Sequence, residues 1–198
     1  MNGTSPDAQV VSDLLAVGYF AMSTMMVAAR PAADEYVPYY GRYISLVSGG
    51  DVVSILSVQL PETLAMLSAL DEKEAEYRYE PGKWSVKEVV GHMVDTERIM
   101  SYRALRIARN DKTPIEGFEQ DDYVRDGGFE SRKLSALLEE FRQVRGATLC
   151  LFRGLEPEAW SRRGTANNDE ISVRALAYII AGHELHHRKI LREKYLAR

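Results

Sequence analysis

The sequence predicts an all-α protein, a four-helix bundle with an N-terminal appendage. From Tyr36 on, apolar residues recur at steps of three and four over four stretches of roughly 20 residues, which is the spacing of a single buried helical face. Most of the proline, glycine and asparagine falls between those stretches, and no β-rich stretch competes with them. Four amphipathic helices bury their stripes by packing together.

The first helix opens at Gly49-Gly50-Asp51, with Asp51 as N-cap, and carries Val52, Ile55, Leu56, Leu60, Leu64, Leu67 and Leu70 on one side. Pro61 is expected to kink or divide it. The second starts where Pro81-Gly82 breaks the chain and Ser85-Val86-Lys87-Glu88 forms a capping box; its stripe is Val86, Val89, Met93 and Met100, and it ends near Asn110. A loop from Asp111 to Gly128 then crosses one end of the bundle. The third helix spans about 132–155, with Leu134, Leu137, Leu138, Phe141, Val144, Leu149 and Phe152 on one side and Cys150 read as a small core residue. After a polar loop from Ser161 to Glu170, Ser172 caps the fourth helix, whose inner face carries Val173, Leu176, Ile180, Ile190 and Leu191.

The chain has 198 residues, which suits one domain plus an appendage, and 45% of them are hydrophobic, enough for a full core. Its 25 basic and 29 acidic residues leave a net charge of −4, without the basic excess that binds phosphate backbones, so nucleic acid is not an expected partner. A single cysteine excludes an internal disulfide and Cys-rich metal sites and is compatible with the cytoplasm. The apolar run from Leu14 to Ala29 is too short to span a bilayer and no Lys or Arg precedes it, so neither a membrane span nor a signal peptide is expected. Residues 1–34 are therefore read as an extension, dispensable for the fold of 35–198, unless that run packs on the bundle or closes a homodimer.

All four histidines fall in two places, His92 in the second helix and His183, His186 and His187 in the fourth. The inward stripe Val173, Leu176, Ile180 continues to His183 and His187, four residues and therefore about one turn apart, the spacing with which two imidazoles share one metal ion. His92 borders the inner face of its own helix, and His186 lies on a flank. Three imidazoles at inward positions on two helices point to a divalent metal ion, because three buried polar rings without a purpose are costly. The string His183-Glu184-Leu185-His186-His187 also matches H-E-x-x-H, but Ile190 and Glu193 stand where the longer zinc-protease pattern needs Gly and His. Glu184 is accordingly read as a solvated helix charge. Asp95 and Glu97 are read either as carboxylates that orient metal-bound imidazoles or as surface ion pairs with Arg98 or Arg103. The segment from Gly117 to Tyr123 is a candidate pocket rim.

Four segments, Pro81-Gly82-Lys83-Trp84-Ser85-Val86-Lys87-Glu88, Gly91-His92-Met93-Val94-Asp95-Thr96-Glu97, Gly117-Phe118-Glu119-Gln120-Asp121 and Ala181-Gly182-His183-Glu184-Leu185-His186-His187, resemble in order and spacing the DinB-like family of metal-binding four-helix bundles. The resemblance covers about residues 36–198. It implies an up-down-down-up bundle whose metal is held by His92, His183 and His187, with His186 outside the set. It also implies a transferase that uses a low-molecular-weight thiol on a small-molecule substrate, or a metal-dependent hydrolase, or a non-catalytic, stress-associated metal-binding protein. Imidazole ligands suit Zn, Ni, Fe and Mn alike, so the metal's identity stays open.

Overall fold

The structure, a computed structural model, describes residues 29–197. Four long helices build it: α1 (Val52–Ser68), α2 (Val86–Ala108), α3 (Leu134–Arg153) and α4 (Val173–Ile190), the last running on into a π-helical turn, Leu191–Leu196. Three of the N-termini close as their sequences require. Asp51 accepts from the Ser54 amide at 2.9 Å, Ser172 Oγ from the Ala175 amide at 3.1 Å, and Ser85 and Glu88 bond reciprocally as a capping box. Pro61 does not divide α1, which runs unbroken through it.

Contacts between helices fix their directions. Gln59, Glu62 and Thr63 of α1 meet Ala181, Arg188 and Glu184 of α4, so α1 and α4 run in parallel. Arg98 reaches Glu140 and Arg145 reaches Glu97, and Ile107 near the end of α2 and Phe152 near the end of α3 share one core cluster, so α2 and α3 are also parallel. His92 early in α2 meets His183 and His187 late in α4, an antiparallel pair. The topology is therefore up-down-down-up, with the segment 111–133 crossing between α2 and α3.

That crossing segment is not all loop. Gln120–Asp126 is helical, and Ile115 pairs with β1 through its amide to Thr165 O at 3.0 Å and through Asn167 N to its own carbonyl at 2.8 Å. The stretch expected as a polar loop from Ser161 to Glu170 is instead largely a hairpin of β1 (Arg163–Ala166) and β2 (Asp169–Ser172). Asn167 and Asn168 hold φ of 54° and 67° at its two-residue turn, a conformation asparagine tolerates. Cys150 is also corrected: it is exposed, because it falls on the outer side of α3 between the inward Leu149 and Phe152.

Residues 29–35 run along the body. Glu35, buried, accepts from Arg174 and from Ser172 Oγ at 2.7 Å, and Asp34 pairs with Arg163 at 2.8 Å. Residues 1–28, with most of the apolar run, lie outside the described residues. Among the described residues no helix is long and apolar enough to cross a membrane.

Candidate metal centre

Glycines precede two of the three inward histidines, and each admits a neighbour that a side chain would exclude. A Cβ on Gly91 would stand 2.3 Å from the Phe129 ring, and one on Gly182 would stand 2.1 Å from the backbone carbonyl of Tyr43. The short helix Gly41–Ile44 thus lies directly on α4, and its Tyr43 ring packs edge-on at 5.3 Å from the His183 ring. Trp84, just ahead of α2, covers His92 with ring centres 4.7 Å apart.

Within this frame three imidazoles converge. His183 Nε2 lies 3.0 Å from His92 Nε2 and 3.1 Å from His187 Nε2, and one ligand nitrogen from each ring falls within 4.8 Å of the others. All three residues are buried. His186, half-buried, packs against Tyr43 and His187 and does not belong to the convergent set. Burial, followed by the like charge of His186, pushes His92 down to about 4, and burial followed by neighbouring histidines holds His183 and His187 well below the ordinary imidazole range. The rings are therefore neutral near pH 7, the form that donates a lone pair to a metal. Three lone pairs aimed at one point repel one another unless a proton or a cation stands between them. The donor set fits a divalent ion of the borderline class.

The unfolded histidines titrate near 6.5, so between about pH 6.5 and 4 the unfolded chain binds more protons than the folded one. The metal-free protein should lose stability as pH falls through that window, by about 2 kcal/mol at pH 5 from His92 alone. Thermal melts in chelator at pH 7.5 and 5.0 check this, and equal midpoints would contradict the buried, neutral state of the rings.

Behind the histidines lies a charge cluster that the sequence reading missed. Arg145 of α3, fully buried, donates Nε and Nη2 to the two oxygens of Glu97 at 2.8 Å each, Nη2 also to Glu184 at 2.8 Å, and Nη1 to the Leu56 carbonyl at 3.0 Å. Thr63 closes the network by donating to the other Glu184 oxygen. Burial opposes the guanidinium charge, but Glu97 and Glu184 outweigh it and raise the Arg145 pKa. Glu184 is thus not a solvated charge, and Glu97 pairs with Arg145 rather than with Arg98 or Arg103. Asp95 is half-buried, with Arg98 at 3.5 Å. Counted together, one guanidinium and two carboxylates leave a formal charge of −1 around a small void that His183 also lines.

On the other side His92 and His183 open into a cleft of about 360 Å³. Tyr40, Tyr43, Thr96, Met100 and Arg103 form its walls, while Glu119, Asp121 and Asp169 stand exposed at its mouth. The 117–123 segment therefore contributes Phe118 to Asp121 to the rim. Tyr123 lies outside, its ring edge-on to Phe118 at 5.2 Å.

Bundle and histidine cluster together define a class of helical protein with a candidate metal site in its core. Residues 56–191 match the family model of the DinB superfamily, and the chain belongs to that family. Among solved structures it is similar to YfiT from Bacillus subtilis, described as a probable metal-dependent hydrolase with an unusual four-helix bundle topology, at 15% identity and a TM-score of 0.61 over 82% of this chain and 91% of that one. It is also similar to two structures of a mycothiol-dependent maleylpyruvate isomerase, one of them a point mutant, at 13% and 12% identity and TM-scores of 0.59 and 0.58. Each of these matches covers 69% of this chain and 58% of the isomerase, so the chain spans little more than half the isomerase's length. No curated protein sequence matches.

Proposed function

We propose that His92, His183 and His187 hold one divalent metal ion and that the protein is a metal-dependent transferase acting on a small molecule with a low-molecular-weight thiol as co-substrate. The convergence of three buried, neutral imidazoles, two of which line an open cleft, carries this reading. A structural metal site is closed by its ligands, whereas three protein donors beside a cleft leave a position for substrate. A divalent ion there supplies Lewis acidity, which favours the deprotonated form of a thiol or of water. The chain's own groups do the rest. Trp84 and Tyr43 pack on the imidazoles and hold their planes, and the net negative Arg145 cluster behind His183 offsets the ion's charge. Similarity to an isomerase described as mycothiol-dependent supports the thiol as co-substrate.

Hydrolysis is the second reading, favoured by the similarity to a structure described as a probable metal-dependent hydrolase. Cobalt-loaded protein separates the two. Under the transferase reading a thiol from a panel of cellular low-molecular-weight thiols changes the cobalt spectrum, and turnover of a thiol-reactive electrophile needs both metal and thiol. Metal-dependent ester or amide cleavage without thiol would replace it with the hydrolase reading. Metal-loaded protein inert in both assays would leave a metal-binding protein.

A further inference from the structure

Arg103 lies on the same stripe of α2 as His92, Thr96 and Met100, and all four line the cleft. It is only 2% exposed, yet among the described residues no carboxylate lies within ion-pairing distance of it. Its Nη2 donates to the Glu116 carbonyl at 2.8 Å, its Nη1 donates weakly to Met100 Sδ at 3.8 Å, the Tyr40 hydroxyl across the cleft is within hydrogen-bonding reach of the guanidinium, and Nε has no partner. Arg145, equally buried, has two carboxylates. An arginine is almost never fully buried unless paired, because desolvating its charge is costly. A second polar atom on the same wall, Thr96 Oγ1, is also buried without a partner. The Phe118 ring, 5.9 Å from Arg103 Cζ, lies against the guanidinium.

We infer that Arg103, with Thr96, binds a carboxylate of the small molecule that enters this cleft, and that the ligand is zwitterionic and peptide-sized. The inference rests on the reading of the cleft as a substrate site. A guanidinium fork matches a carboxylate in two parallel hydrogen bonds, and the Thr96 hydroxyl adds a donor. The acids at the mouth, Glu119, Asp121 and Asp169, disfavour a multiply charged anion such as a phosphate and favour an ammonium at the ligand's outer end. His92 and Arg103 are three turns apart, about 16 Å along α2 before the arginine's reach back toward the preceding turn is allowed for. A free amino acid is too short to engage both. A tripeptide-sized molecule is long enough, and the volume falls within the range of ligand pockets.

Isothermal titration tests this with two matched pairs, glutathione against its diethyl ester and the tripeptide Gly-Ala-Gly against its C-terminal amide, on zinc-loaded and on metal-free protein. The expected result is that each acid binds at least about tenfold more tightly than its ester or amide, the gain of one charge-assisted pair, with or without zinc. Arg103→Gln should abolish that preference while the ester and the amide bind as before, and Thr96→Val should weaken it severalfold. Should Arg103→Gln fail to fold, Arg103→Lys carries the test: the preference must fall, because a point charge replaces the fork. The inference is overturned if wild type shows no preference, if the preference survives in the Arg103 variants, if the acids and their ester or amide weaken equally, or if removing zinc abolishes the preference and so assigns the carboxylate to the metal. A preference that persists in protein unable to bind zinc would sustain the role of Arg103 while removing the metal reading.

Discussion

Arg145→Met should destabilise the protein by about 3–5 kcal/mol, the cost of leaving buried charge without its partner. The variant strands Glu97 and Glu184, both nearly inaccessible, and removes the bond to the Leu56 carbonyl, so three helices lose a shared anchor. For a domain of this size the melting temperature should fall by roughly 6–20 °C. The triple variant Arg145→Met, Glu97→Gln, Glu184→Gln should recover much of the loss, because neutral amides cost less to bury than unpaired carboxylates. A single variant that melts with wild type would mean the cluster is far better hydrated than its burial indicates.

Gly182→Ala should also be severely destabilising, for a steric reason. The added methyl would stand 2.1 Å from the Tyr43 carbonyl oxygen and 2.5 Å from its carbon. Backbone cannot swing aside as a side chain can, so Gly41–Ile44 must lift off α4 and take Tyr43 away from His183. Overpacking of this kind costs roughly 1–3 kcal/mol, and loosening the cleft wall should weaken metal retention as well. Gly146→Ala is the control with the opposite sign. It sits inside α3 with open space around it, and alanine there should stabilise by about 1 kcal/mol. Thermal melts of the two variants side by side decide the matter.

The helical phase of the sequence carried the site further than the fold's detail. His183 and His187 continue the stripe of Ile180, and His92 borders that of Val89, so their meeting in the core followed from spacing. The same arithmetic holds for Arg145, which the reading passed over, and for Glu97 and Glu184, which it left as a possible surface pair and a solvated charge. Arg145 follows Phe141 by four, Glu97 follows Met93 by four, and Glu184 follows Ile180 by four. A charged residue on an inward stripe suggests solvent exposure until its partner is known, and the partners lie 39 and 48 residues away. The nearly unbroken apolar run from Ala175 to Ala181 was the available signal that α4 is enclosed on all sides, which leaves Glu184 no solvated face. The hairpin was hidden because strands of four residues, Arg-Gly-Thr-Ala and Asp-Glu-Ile-Ser, are too short to show a period of two. Arg103 shares the stripe of Met100 but meets Glu116 and Phe118 only through the crossing segment, whose course no helical periodicity reports.

The claim that three histidines form one metal site is tested most directly by elemental analysis of the purified protein and of four single variants. About one divalent ion per chain is expected in wild type and in His186→Ala, and loss of that ion in His92→Ala, His183→Ala and His187→Ala with the helical fold retained. Metal lost from His186→Ala but kept in His187→Ala would contradict it, as would wild-type protein that takes up no divalent ion at neutral pH.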